Sequence, residues 1–393
     1  MKRYTLLILD LLFMTANFTA LTLFSSLKDF IAETHGLSEA ELRWAASSFT
    51  IGIFFAFLIG HAKYVEFRPK LSILIAGLSV SIPQFLIPFT GNPFIIVILR
   101  VIQGLAMTAI PVFSYQAGIF YPRLRTLAIG IIVSGIFIGG LTGSIVCFEV
   151  AKYIGWIGTY LALGAVMITL TLTYIVIVPN EFMPQAPRYE VSVKAVEVLR
   201  QKFTIIWGFT FFPGLWVVFT LAPLIHFISE EVNIPGELAS SVLEASYIFW
   251  SLASGLIAVL FKAHKLKGRN LFELIAKVQT LQYLIAVVGA ITALMSRSPL
   301  TFYASLILIA AVQGTAPTFW SIPTIAYPKE LASRAGYTLG LISNSSALIG
   351  PLVTTMISIM GAVNVILLTI ALAITGALLT LYSIRLKMPI ELT

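Results

Sequence analysis

Apolar runs of roughly 20 residues recur about a dozen times along this chain of 393 residues, each long enough to cross a hydrocarbon layer of ~30 Å as a helix. Inside lipid every backbone N–H and C=O must find its partner within the protein, so runs of this length fold as α-helices. A barrel would need strands alternating apolar and polar over about ten residues, and these runs are continuously apolar. With 58% hydrophobic and 11% charged residues, too little charge remains to cover a water-facing surface. The sequence therefore predicts an all-α polytopic membrane protein.

The spans read as 5–26, 42–62, 71–91, 94–119, 127–149 and 154–178, then 204–228, 241–262, 271–293, 299–324, 335–360 and 362–385, twelve transmembrane helices with both termini on one side. If that side is cytoplasmic, the inner loops hold nineteen Lys and Arg residues and the outer loops only Lys28, Arg43, Lys152 and Arg297. Such a bias orients the chain in a cell membrane, and it explains the surplus of basic residues without invoking nucleic acid. Met1-Lys2-Arg3 leads straight into an apolar run with no small-residue cleavage site after it, so the run is expected to stay as the first helix. The single cysteine, Cys147, can form no internal disulfide. Lys28 to Arg43, with Asp29, Glu33, Glu39 and Glu41, reads as a solvated acidic loop.

Two halves are expected: residues 1–178 and 204–393 as six-helix bundles, and 179–203 as a cytoplasmic linker whose Arg188, Glu190, Lys194, Glu197 and Arg200 suit a short surface helix. Arg100-Val-Ile-Gln103-Gly104 in one span is echoed about 210 residues later by Ala-Val-Gln313-Gly314. Neighbouring text recurs too, with Pro111, Tyr121-Pro122, Arg125 and Gly130 matched by Pro317, Tyr327-Pro328, Arg334 and Gly340. Duplicated halves of this kind are a common plan of secondary transporters.

A charged side chain inside a bilayer costs at least a few kcal/mol, which makes each one a functional candidate. Arg100 lies about 9 Å inside the outer end of its span and Asp10 about five residues inside the inner end of the first. Glu149, Glu244, Glu273 and Lys277 fall near predicted helix ends, where side chains snorkel to water. Arg100, Gln103, Met107, Pro111 and Ser114 share one helix stripe, and Asp10, Met14 and Asn17 share another. A polar stripe must face a neighbouring helix or an aqueous cavity. For Arg100 the alternatives are a charge-organising role and a structural tie to backbone carbonyls; for Asp10 they are a protonatable coupling group and an interfacial acid. Their depths differ by ~10 Å along the membrane normal, so no bridge between them is expected.

In the second half the corresponding polar residues are neutral: Gln313, Pro317, Thr318, Trp320 and Ser321, joined by Ser343 to Ser346 with Asn344 among them, and by Trp216, Tyr247 and Trp250. Aromatic rings, amides and hydroxyls beside one deep cation suit a small, partly apolar organic substrate. Gly135, Gly139 and Gly143, four residues apart, form a stripe that lets helices approach closely. Neither a phosphate-binding Gly-x-x-x-x-Gly-Lys-Ser/Thr nor a Gly-x-Ser-x-Gly or His-Glu-x-x-His is present, and the four histidines are scattered. No enzyme activity, cofactor or metal is expected, and an ion or substrate gradient is the remaining driver.

Arg100-Val-Ile-Gln-Gly104, followed by Tyr121-Pro122-x-x-Arg125 and Gly130, resembles the helix-4 signature and following loop of the major facilitator superfamily, and the likeness spans the whole chain. Gly60, Arg68 and Lys70 fit the family's loop 2–3 signature, with Tyr64 and Phe67 standing where its acid and second glycine occur; Lys262 to Arg269 resembles a worn second copy. The resemblance implies two six-helix bundles around a cavity that opens alternately to each side, lined by helices 1, 4, 7 and 10. It also implies a seam between helices 5 and 8, served by the glycines of helix 5. Helices 4 and 5 look most like the drug:proton antiporter branch, whereas Phe319-Trp320 to Gly350-Pro351 resembles organic-anion symporters. The leading expectation is a monomeric, proton-coupled exporter of a small organic molecule, with Asp10 and Arg100 as coupling candidates. Asn17, Gln103, Met107, Ser114, Trp216, Tyr247, Gln313, Trp320 and Asn344 are its cavity candidates. Ion-coupled uptake of an organic anion is the alternative within transport, and a non-transporting membrane sensor the alternative outside it.

Overall fold

A computed structural model describes residues 3–62, 68–183, 195–230 and 234–391. Among them every regular element is helical. Ten helical rods are long and apolar enough to cross a membrane. Two of the helical stretches are far too long for one crossing: Arg125–Ile177 has 53 residues and Ala332–Ser383 has 52, about 80 Å each if straight against a hydrocarbon layer of ~30 Å. Each breaks at one glycine, Gly155 (φ 75°, ψ 160°) and Gly361 (φ 72°, ψ 160°). That region of backbone space is open essentially to glycine alone. Past Gly155 the chain doubles back: Gly135 lies against Leu11 and Gly143 against Thr22, yet Tyr174 returns to hydrogen-bond Asp10.

Counting both legs of each bent stretch gives the twelve expected crossings: α1 (Arg3–Ser26), α2 (Glu39–Ile59), α3 (Pro69–Phe89), α4 (Pro93–Phe120), α5 (125–154), α6 (156–177), α7 (Lys202–Glu230), α8 (Gly236–Leu260), α9 (Gly268–Leu294), α10 (Pro299–Ala326), α11 (332–360) and α12 (362–383). The expected loops between spans 5 and 6 and between 11 and 12 are replaced by the two glycine breaks. Glu149, expected at a helix end, and Lys152, expected in an outer loop, pair along a continuing helix at 2.6 Å. Helix starts follow local rules. Ser38 and Glu41 form a capping box before α2, Asn92 accepts from the amides of Phe94 and Ile95 before Pro93 of α4, and Ser298 with Thr301 caps α10 ahead of Pro299.

Asn92-Pro93 and Ser298-Pro299, Pro111 and Pro317, Tyr121-Pro122 and Tyr327-Pro328, and Gly155 and Gly361 all sit 206 residues apart. Gln103-Gly104 and Gln313-Gly314 are 210 apart, so the second pair lies about one helical turn further along its helix than the repeat places the first. A shared tie also marks each half. Lys70 Nζ, at the start of α3, donates to Ile175 O near the end of α6 at 2.8 Å; Arg269 Nη1, at the start of α9, donates to Leu386 O just past α12 at 2.5 Å. Cations placed so favour the negative ends of the receiving helices.

The chain divides into two compact units, Met1–Phe113 with Gly135–Ala186, and Ser114–Ser134 with Pro187–Thr393. Within the first, Gly52 of α2 and Gly104 of α4 meet backbone to backbone, since a Cβ on Gly104 would sit 2.1 Å from Phe49 O. The stripe Gly135, Gly139 and Gly143 packs on α1, with added Cβ atoms meeting Leu11 O, Thr15 O and Thr19 O. This differs from the seam with helix 8 that the resemblance implied. Gly130 of α5 and Gly255 of α8 make that contact instead, against Ser251 O and Leu127 Cα, because Gly130 lies on a different face of α5 from the stripe. Around Gly143, the last glycine of the stripe, α5 widens into a π-helical turn, Thr142–Val146, and Ser26 Oγ donates to Gly143 O at 2.8 Å. Of the linker, Ala195–Arg200 is helical, with Val198 buried and Glu197 and Arg200 exposed; Arg188, Glu190 and Lys194 lie outside the described residues, as do Lys63 to Phe67 of loop 2–3.

Candidate functional site

In the first unit Asp10 lies seven residues into α1 and is 2% exposed. Its Oδ1 accepts a hydrogen bond from Tyr174 Oη at 2.8 Å. Phe13 closes the space beside the pair, edge-on to Phe113 at 5.8 Å and to Tyr174 at 5.9 Å. No basic side chain pairs with this carboxyl among the described residues. Two turns along the same face, Asn17 is fully enclosed; its amide donates to Phe13 O at 2.9 Å, and its Oδ1 has no partner. Tyr174 was not foreseen, because its pairing with Asp10 arises only once α6 folds back.

Arg100 lies elsewhere, fully enclosed. Nε donates to Ala45 O and Nη2 to Ala46 O, both at 3.2 Å, and Nη1 to Gln103 Oε1 at 2.6 Å. The rings of Phe24 and Phe49 flank the guanidinium at 5.0 and 5.1 Å. Three hydrogen bonds and two π faces replace water around this cation. They also bind α4 to α2 beside the Gly52–Gly104 contact. Asp10 and Arg100 form no ion pair. Met107 is buried in a 3₁₀ segment, Leu105–Ala109, below this knot.

In the second unit the polar centre is an amide rather than a charge. Gln279 of α9 donates to Thr210 Oγ1 at 3.0 Å and Thr380 Oγ1 at 3.4 Å, and accepts from Thr318 Oγ1 at 2.9 Å. One side chain thus links α9 with α7, α12 and α10. One turn on, Gln282 has neither amide atom paired and lies against the bare backbone of Gly314, where a Cβ would come within 2.3 Å of Nε2. Gln313 Oε1 and Asn344 Oδ1 are also enclosed without partners. Unmet capacity of this kind is unusual in a packed interior and common where a ligand or water completes the set.

Trp207 stacks between Phe203 and Phe319 at 6.3 and 6.4 Å, and Trp320 stands edge-on to Phe319 at 5.2 Å. Tyr247 is buried, Trp216 is half-buried beside Phe212, and Trp250 Nε1 donates to Ile307 O at 2.7 Å. Ser114 Oγ donates to the backbone carbonyl of Trp320 at 2.5 Å, so it meets α10 rather than continuing the Arg100–Gln103 cluster. The predicted span starting at 241 makes Glu244 a helix-end residue. Helix α8 begins at Gly236, which puts Glu244 about 12 Å inside it, and its Oε2 is enclosed without a hydrogen-bond partner. Among the described residues no three His, Cys, Asp or Glu side chains cluster so as to hold a metal ion.

Helices with duplicated landmarks, and amides, hydroxyls and isolated charges inside the spans, define a polytopic transporter. The chain belongs to the major facilitator superfamily: the family model described as "Major Facilitator Superfamily" matches residues 11–351. Among solved structures it is similar to the human organic anion transporter MFSD10 (TETRAN), at 14% identity over 97% of this chain and 100% of that one, TM-score 0.73. It is also similar to the proton:xylose symporter XylE, at 13% identity over 97% and 94%, TM-score 0.68. No curated protein sequence matches it. The fold is that of the superfamily, and the protein is a multi-pass membrane transporter rather than an enzyme.

Proposed function

We propose that this protein moves a small, partly apolar organic molecule across the cell membrane by alternating access, coupled to protons and in the direction of export. Proton coupling rests on Asp10, a carboxyl enclosed in α1 with a hydroxyl donor at 2.8 Å and no cationic partner among the described residues. A carboxyl so placed is either charged at a cost or neutral with a proton bound, and a pH gradient can drive exchange between those states. Export is favoured by the run from Arg100 to Gly104 and by Tyr121-Pro122, Arg125 and Gly130, which resemble the drug:proton antiporter branch. Gln313, Asn344, Trp216, Tyr247 and Trp320 are the neutral groups proposed to meet the substrate, and Arg100 is proposed to position α2 against α4. The bundles are taken as residues 1–178 and 204–393, working as a monomer, and the nineteen-to-four distribution of basic residues supports cytoplasmic termini.

The test is transport in liposomes holding the purified protein, under imposed proton or sodium gradients, against organic acids, sugars and lipophilic cations. Asp10→Asn is expected to keep substrate exchange while losing its response to the pH gradient. A wild-type pH response in Asp10→Asn would remove Asp10 from coupling, and accumulation of an organic anion together with protons would establish uptake instead of export.

A further inference from the structure

The second unit contains a recess of about 690 Å³ whose lining includes Arg123, Arg125, His264, Lys265, Lys267 and Thr324 and no carboxylate. Four permanent cations and an imidazole therefore converge on one space. A general excess of basic residues on one side of the membrane explains their presence but not this convergence. Arg123, Lys265 and Lys267 have no ion-pair partner among the described residues. Arg125 donates from Nη1 to Thr324 Oγ1 at 3.2 Å, while its Nε is shut off from solvent with no partner at all.

Backbone charge points the same way. Arg125 is the first residue of α5 and Lys267 caps α9 without any side-chain hydrogen bond to its first amides. Helix starts carry partial positive charge and free N–H groups, so basic side chains there oppose the helix dipole unless an anion sits between them. From this arrangement we infer that the recess is a binding site for a phosphate-bearing anion, held by the arginine forks and the lysines and joining the 121–125 turn to the 262–268 segment. Guanidinium forks match phosphate oxygens in pairs, and the volume is in the range of sites for small ligands. An acidic phospholipid headgroup and a free phosphate compound present the same chemistry.

The experiment places the full chain in phosphatidylcholine nanodiscs and follows its thermal unfolding in two arms. One arm adds phosphatidylglycerol to the discs; the other adds inositol hexakisphosphate to the buffer at constant ionic strength. One source is expected to stabilise the protein saturably, which identifies it. Arg123→Gln/Lys265→Gln/Lys267→Gln should raise the half-saturating concentration on the order of a hundredfold, from roughly fivefold per basic side chain. The control Arg200→Gln/Arg385→Gln/Lys387→Gln removes the same charge from exposed positions outside the recess and should change it less than about twofold. Absence of saturable stabilisation in both arms, or equal loss in the two triple variants, would overturn the site.

Discussion

Replacing Gly155 by alanine and, separately, Gly158 by alanine should change stability in opposite directions, although the two lie three residues apart. Gly155 has φ 75° and ψ 160° with open space around it, so an added methyl meets nothing and the whole penalty is backbone strain. A residue with a Cβ held in that region costs about 1–3 kcal/mol, offset by roughly 0.4–1 kcal/mol from the reduced freedom of the unfolded chain. The net is a loss of up to about 2.6 kcal/mol, roughly 1.3 kcal/mol at the middle of both ranges. Gly158 is helical, and its new Cβ would touch Ile154 at 3.4 Å, an ordinary contact. There alanine should add about 1 kcal/mol. Equilibrium unfolding in mixed micelles, followed by tryptophan emission, can resolve the gap; Trp156, next to the break and edge-on to Tyr160 at 5.9 Å, reports locally. Gly361→Ala should repeat the Gly155 result, because Gly361 has the same dihedral angles and equally open surroundings. Alanine tolerated at Gly155 without loss, or shifting stability there with the same sign as at Gly158, would refute the view that the return of α6, and with it the Asp10–Tyr174 bond, depends on a glycine-only turn.

Arg100→Ala is expected to abolish gradient-driven flux while leaving the protein folded and inserted, and Arg100→Lys to fail equally, because an ammonium cannot reach Ala45 O, Ala46 O and Gln103 together. Unchanged flux in the alanine variant would take Arg100 out of the mechanism, and rescue by lysine would show that charge rather than bridging matters. Glu244→Gln should raise unfolding stability by about 1 kcal/mol, since a neutral amide of equal size removes the cost of a charge at an enclosed carboxyl with an unpartnered oxygen. The same preparation should transport more slowly, the pattern of a residue kept for function at the expense of stability. A destabilised Glu244→Gln variant would contradict that account.

The membrane helices could be read from sequence because length and continuous apolarity are local properties, and Asn92-Pro93 and Ser298-Pro299 mark starts by local chemistry. The boundary between α5 and α6 could not, because Glu149 looks like a helix end and Lys152 like a loop until their pairing shows both on one continuing helix. Helix ends matter in the same way. Starting α8 at 241 instead of Gly236 hid the depth of Glu244. Contacts between helices remote in sequence, such as Tyr174 with Asp10 and Ala45 with Arg100, depend on how each helix is rotated, which a periodic apolar run leaves open when its hydrophobic residues go all the way round. Gln279 and Gln282 carried a readable signal, amides inside an apolar span. They fall outside the repeated Gln-Gly pairs, so no second signal picks them out.

The repeat itself separates what the halves share from what they do differently. With a spacing of 206 residues, helix starts, prolines and glycine breaks coincide, and Arg100 corresponds to Leu306, a buried aliphatic side chain. The second half therefore lacks the cation that ties α4 to α2. In its place a neutral network centred on Gln279 joins four helices through threonine hydroxyls. A guanidinium taken out of water needs several acceptors at once and fixes its surroundings, whereas an amide and hydroxyls can exchange partners at little electrostatic cost. On this physics Arg100 makes the α2–α4 pair rigid. The unfilled amide atoms of Gln282, Gln313 and Asn344 leave the second half with polar groups that can take a new partner without first breaking an existing bond.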